Sequence, residues 1–378
     1  MTANYEISIS ILEDNSRYRV VVGTEDDGDF IFHLPFDKNG FDNINAQIKS
    51  VLSEIIHESE YSNNIDISDE RCKHDLWKIA SLDLFTQIFL GYKPEPDAKQ
   101  FVKLVKEHSQ EHILKVKIVS ENFFIPWALF YDGKVSQNEE DVNPESFWGF
   151  KHQISFNPAP GKRWKYKSSI DVTNFNFSFN ANEDIDKDFE MSHIKQQNKF
   201  LEKISYPNFT KTYRSDKNTL LNAFKQDNFN DSLIYFFCHA EIIPKPVANS
   251  FIQLTGGEQI TLHDLKTFCG DENFSKEPLV FLNACGSAEM NPLFYDGFLP
   301  YFMSKGSRGM IGTISKISAL FASEFATGFF DKFLNGERLG EIMPTLRKKF
   351  LEQHNNPLGL FYQSYCNSNV KLSESILN

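Results

Sequence analysis

The sequence predicts an α/β protein, with a largely parallel sheet covered by helices on both faces and a smaller α+β region ahead of it. Three observations carry this. Apolar runs at 232–239 (SLIYFFCH), 279–285 (LVFLNAC) and 309–315 (GMIGTIS) have the length and continuity of strands buried on both faces. Segments of helical period separate them, at 261–268 and 296–305, and another follows at 319–334. The N-terminal stretch carries the other strand signature, apolar and polar in alternation, as in YEISISIL at 5–12.

Taken in order, Asp14-Asn15-Ser16 turns the first strand into a second over 18–22, and 29–36 reads as a third. From Ile44 the period changes. Ile44, Ile48, Val51, Leu52, Ile55 and Ile56 share one helical face, with Asp42 or Asn43 as the cap. Further helices are expected over 68–90 and 98–109, and a strand over 113–119. Ile125 to Gly133 reads as an interrupted strand whose Trp127 belongs to the core, and 134–146 as an exposed polar loop. Two prolines and a glycine within 157–166 mark a break between regions. The domains expected are therefore 1–156, an N-terminal α+β region for regulation or interaction, and 157–378. Beyond the break come a strand at 170–179, an acidic loop at 180–190 and a helix at 193–204. A strand at 209–213 and a helix starting at 219 follow. A hairpin turning at Gly256-Gly257, helices at 319–334 and 339–353 and a last strand at 361–366 complete the reading.

Composition narrows the function. The chain has 378 residues, 41% of them hydrophobic, which is ample for a sizeable core. Its formal net charge is −12, from 39 basic and 51 acidic residues, so it lacks the basic footprint of a nucleic-acid or anionic-membrane binder. The N-terminal residues MTANYEISIS have neither a basic nor an apolar leader segment, and no apolar run approaches the roughly 18 residues of a membrane helix. A cytoplasmic protein is expected. The cysteines, Cys72, Cys238, Cys269, Cys285 and Cys366, are odd in number and widely spaced. They suit a reducing compartment and form no zinc pattern, so no metal is expected. Neither G-x-x-x-x-G-K-[ST] nor G-x-G-x-x-G occurs, and no cofactor is expected.

Two of the buried runs end on reactive side chains, one on His239 and the other on Cys285, 46 positions apart. Either residue alone is an ordinary core side chain. Side by side at the carboxyl ends of neighbouring parallel strands, they become a nucleophile and its base. A free thiol is only a few per cent thiolate at neutral pH, and a histidine within hydrogen-bond reach activates it and returns the proton to the leaving amine. A histidine about 50 residues upstream of the cysteine is the caspase spacing.

The residues around this pair resemble the CHAT-type peptidases, the bacterial branch of caspase-like cysteine proteases related to separase. The correspondence lies in Phe237-Cys238-His239-Ala240, Asn283-Ala284-Cys285-Gly286-Ser287, Gly306 to Gly312, and Pro357 to Tyr362. Upstream, Ile125 to Gly133 and the segment 147–160 are similar to stretches preceding the catalytic half in that family. The resemblance spans about 110–370. It implies a caspase-like sheet with Cys285 and His239 catalytic, an oxyanion hole from the N–H groups of Ala240 and Cys285, and a thioester intermediate. It implies one or a few protein substrates, encoded nearby, in bacterial antiviral defence or cell death, a gasdermin-like pore former among them. Activity would be released by an activating protein or ligand. The rival is a catalytically silent caspase-like scaffold or binding module. Two positions depart from the family. Ala240 replaces the usual glycine but keeps the N–H. Asn283, where the family places the floor of the S1 pocket, is neutral, leaving Glu289 or Asp296 to supply an acid there.

Overall fold

A computed structural model of the chain describes residues 4–25, 27–57, 60–121, 123–157, 168–188, 192–204, 206–243, 245–270, 273–284 and 297–377. Two compact units make it up: Met1–Ile55 with Asp66–Lys165 and Met343–Ser368, and Ile56–Ile65 with Tyr166–Ile342 and Asn369–Asn378. Neither is continuous in sequence. No described helix is long and apolar enough to cross a membrane.

In the first unit, β1 (Asn4–Asp14), β2 (Arg17–Thr24) and β3 (Asp29–Asp37) form an antiparallel meander. Asn15 and Ser16, both at positive φ, make the first turn. β4 (Ile113–Ser120) joins β1 in parallel and β5 (Gln153–Asn157) joins β4, giving the order β3-β2-β1-β4-β5. Alternation decides the faces, so Ile7, Ile9, Ile11, Val116 and Ile118 are buried.

The helix α1 (Lys38–Ile56) starts earlier than the expected cap at 42–43 and buries Phe41, Ile44, Ile48, Leu52 and Ile55. A short α2 (Glu60–Asn63) counts with the second unit. The helix expected over 68–90 is two helices, α3 (Asp69–Ser81) and α4 (Leu84–Phe89). Between them Asp83 takes a left-handed φ of 44°, which aspartate tolerates and which ends a right-handed helix. Ser68 caps α3 by accepting the Arg71 N–H. Beyond α5 (Pro96–Glu111) and α6 (Trp148–Lys151), aromatic side chains fill the core. Trp127 is 2% exposed and lies 4.8 Å from Phe130, ring centre to ring centre.

The second unit holds five parallel strands in the order β8-β7-β9-β12-β13. Following the two-residue β6 (Ser169–Ile170), these are β7 (Phe175–Ala181), β8 (Phe209–Arg214), β9 (Leu233–Glu241), β12 (Leu279–Ala284) and β13 (Gly309–Thr313). The hairpin of β10 (Phe251–Gln253) and β11 (Gln259–Thr261) adds antiparallel to the end of β9. The helices are α7 (Asp184–Asp188), α8 (His193–Glu202), α9 (Lys217–Phe224), α10 (Leu262–Phe268), α11 (Phe298–Ser304) and α12 (Ala319–Leu334). α8 and α12 cover one face, where Tyr235 bonds Gln197 and Phe281 meets Phe329. α9 and α11 cover the other, where Phe302 meets both Phe224 and Phe236. Leu233 to Cys238 and Leu279 to Leu282 are fully buried, as continuous apolar runs require. Each such side chain contributes roughly 1.5–3 kcal/mol on burial.

Candidate active site

Successive strands run outward in opposite directions from the β7/β9 boundary, so the crevice of the sheet opens at the carboxyl ends there. β9 delivers His239 to that edge. The six residues before it are buried, and His239 itself is half-buried. β12 ends beside it. Every β9–β12 partner is 46 positions apart, from Leu279 opposite Leu233 to Ala284 opposite Cys238. That offset equals the spacing of His239 and Cys285. Cys285 follows Ala284 directly and lies outside the described residues, as do Glu289 and Asp296.

Peptide groups of alternate residues in a strand face opposite edges. The Phe237 carbonyl accepts the Asn182 N–H at 2.9 Å, so Phe237 and, by alternation, His239 two residues on turn toward the β7 and β10 edge. Cys238 and Ala240 therefore turn their peptide groups the other way, toward β12. Ala240 lies within β9 and has no positive φ. A glycine is not required at that position.

The hairpin closes the crevice from the β7 side. Its turn, Thr255-Gly256-Gly257, has both glycines at positive φ. The Thr255 N–H donates to the Ser215 carbonyl at 3.1 Å, and its hydroxyl accepts the Glu183 N–H at 2.9 Å. The Gly256 N–H donates to Asp184 Oδ2 at 2.5 Å, and Lys187 Nζ reaches Asp184 Oδ1 at 2.8 Å. The Lys187 ammonium foremost, and then the Gly256 N–H, hold the Asp184 carboxyl below the usual carboxylate range, and His239 acts on it in the same sense.

Asn283 is fully buried. Its Nδ2 donates to the Ala322 carbonyl at 2.8 Å and to the Tyr235 hydroxyl at 3.3 Å. Tyr235 donates in turn to Gln197 Oε1 at 2.6 Å, and Gln197 Nε2 reaches Ser323 Oγ at 3.1 Å. The residue expected at a pocket floor thus also joins β12 to β9, α8 and α12. In the sequence, Asn182 and Asp184 fall in the acidic loop expected at 180–190. An Asn and an Asp just past an apolar run were the signal that they cap a strand at the crevice.

The remaining cysteines are poor competitors for chemistry. Cys72, Cys238, Cys269 and Cys366 are buried. Burial, reinforced by Asp75, pushes the Cys72 thiol up to about 12, and burial raises Cys269 as well. Among the described residues, no group of three or more His, Cys, Asp or Glu side chains is placed to hold a metal ion.

Residues 123–365 match the CHAT domain family, and the chain belongs to it. A probable protease of Vitiosangium sp. (strain GDMCC 1.1324) is 30% identical over 150 residues, a match covering 37% of this chain and 19% of that protein. Two crystal structures of the Saccharomyces cerevisiae separase–securin complex, at 3.0 and 2.6 Å resolution, resemble it in fold. Each has a TM-score of 0.51 at 12% identity, covering 96% of this chain and 30% of that one. The fold is caspase-like. The chain spans about a fifth of the curated relative and under a third of the separase chain.

Proposed function

We propose that the chain is a caspase-like cysteine endopeptidase with Cys285 as nucleophile and His239 as general base. The observation that carries this is the β9–β12 register, whose constant offset equals the His239–Cys285 spacing. The crevice position of His239, the family and the protease-named relative support the same reading.

In the reaction, His239 takes the Cys285 proton and the thiolate adds to the scissile carbonyl. The N–H groups of Ala240 and Cys285 bear the developing oxyanion, each such donor being worth roughly 2.7–4 kcal/mol in related sites. The orientation of the Ala240 peptide toward β12 favours this role. The imidazolium gives its proton to the departing amine and a thioester remains. Water, deprotonated by His239, then attacks the thioester and releases the acid and the thiol. The substrate is a specific protein, and family membership points to bacterial defence, with a gasdermin-like pore former as one candidate and an activating partner or ligand upstream.

The test is mass-spectrometric mapping of alkylation by thiol-reactive peptide probes near pH 7, on wild type and His239→Ala. Cys285 is expected to label well ahead of the four buried thiols and to lose that lead without His239. Equal, slow labelling of Cys285 in both proteins would favour the silent scaffold.

A further inference from the structure

We propose that Asp184 is a positioning residue for His239, a third member of the site that fixes the charge state of the imidazole through the hairpin turn. The inference rests on the cysteine-peptidase reading, but the coupling between the two residues can be measured apart from it.

Two strand relationships bring Asp184 to His239. β7 and β9 are parallel neighbours, and β7 ends with Ala181 opposite Phe237, two residues before His239, its next N–H (Asn182) on the Phe237 carbonyl. The chain leaving β7 therefore passes the β9 end where His239 stands. Independently, β10 places Gln253 opposite His239, and three residues on, the Gly256 N–H holds Asp184 Oδ2. The carboxylate is thus fastened to the same hairpin that flanks the histidine. The backbone around it is also fixed: Asn182 Oδ1 accepts the Asp184 N–H at 3.1 Å, and Thr255 accepts the Glu183 N–H. The Asp184 side chain is 25% exposed, and its carboxyl is held below the usual carboxylate range by Lys187 and the Gly256 N–H, with His239 acting in the same sense.

Other charged groups stand on the elements that adjoin β9 in sequence or in the sheet. Glu241 lies on its own strand. Glu183, just past β7, accepts the Tyr213 hydroxyl at 2.8 Å. Glu258, from the hairpin, accepts the Lys217 N–H at 2.7 Å. Cys285, Glu289 and Asp296 follow β12, outside the described residues. Lys187 is the cation that opposes Asp184, paired with it at 2.8 Å and 69% exposed. An ionised Asp184 favours the imidazolium, and with it the thiolate form of a neighbouring thiol. Lys187 dilutes that effect.

The experiment is an NMR titration of the His239 imidazole in the full chain, in a Cys285→Ala background, with the resonance assigned by its loss in His239→Ala. Asp184→Asn keeps an acceptor for the Gly256 N–H and removes only the charge. It is expected to lower the His239 midpoint by about half a pH unit or more. Asp184→Glu should restore it, and Lys187→Gln should raise it. A midpoint unmoved by Asp184→Asn overturns the proposal. If that variant does not fold, an unmoved midpoint in Lys187→Gln overturns it instead. The alkylation experiment is run alongside in proteins that retain Cys285. A His239 midpoint that shifts without any His239-dependent lead of Cys285 sinks the peptidase reading and leaves the coupling. A His239-dependent lead with no shift sinks the coupling alone.

Discussion

Asn283 Nδ2 donates to the Ala322 carbonyl at 2.8 Å, joining the end of β12 to α12 two positions before the expected nucleophile. Replacing that donor with a carboxylate sets two acceptors against each other in a fully buried place. Asn283→Asp is expected to lose about 1–3 kcal/mol in urea unfolding, the cost of leaving buried polar groups unpaired. Peptide-library profiling should reveal no new preference for Arg or Lys. A fully stable variant that cleaves after basic residues would return this side chain to pocket duty.

A second expectation concerns acid. His152 is 2% exposed, its Nδ1 accepts the Leu114 N–H at 3.1 Å, and burial holds its pKa below the ordinary 6.5. Burial lowers His193 in the same way. The unfolded chain binds protons at both rings near pH 6.5 and the folded chain does not. Stability should therefore be full above about pH 7 and decline as pH falls below 6.5, by up to about 1.4 kcal/mol per pH unit for each ring. Thermal melts between pH 7.5 and 5.5 measure the slope. His152→Gln should flatten it, whatever the variant's stability at neutral pH.

Beneath β7 lies a buried charge pair, Arg214 Nη1 to Asp231 Oδ2 at 2.8 Å, with Ser178 and Asn176 completing its bonds. Removing one partner strands the other away from water. Arg214→Met alone is expected to cost about 3–5 kcal/mol. The double variant Arg214→Met, Asp231→Leu should recover a substantial part of that loss in denaturant titrations. Simple additivity of the two single changes would contradict the pairing.

Gly149 gives a steric prediction. A Cβ there would stand 2.7 Å from the Ala128 carbonyl oxygen and 2.7 Å from Leu360 Cδ2. One of those neighbours is backbone and cannot swing away. Gly149→Ala is expected to destabilise by about 1–3 kcal/mol, visible as a lower denaturation midpoint. An unchanged midpoint would mean that α6 shifts freely on its support.

Most of the sheet was legible because buried parallel strands write themselves as uninterrupted apolar runs. Even the register was implicit, since the interval from His239 to Cys285 recurs in each β9–β12 pair. The division of 68–90 was not legible, because it depends on one dihedral choice at Asp83. Asn182 and Asp184 were hidden for another reason. Their roles come from bonds to Phe237 and Gly256, partners 55 and 72 positions away, so the local pattern marks the end of a strand but not what these residues bind. The bond of Asn283 to Ala322 depends likewise on where α12 packs. Glu289 and Asp296 fall outside the described residues.

The first unit takes residues 343–368, which follow most of the second in sequence. Arg347 donates to the Gly149 carbonyl at 2.9 Å, Gln363 accepts the Ala128 N–H at 3.3 Å, and Ser368 meets Ser155 at 2.7 Å. A ribosome delivers the strands of the first unit early and these closing pieces only after residues 166–342. At roughly 5–20 residues per second, the delay runs to about 10–40 s. During that interval the nascent first unit lacks the guanidinium and amide that satisfy its own buried backbone, while every strand of the neighbouring parallel sheet emerges. A truncation before residue 343 is therefore expected to leave the N-terminal unit, rather than the unit carrying His239, as the substrate of chaperones.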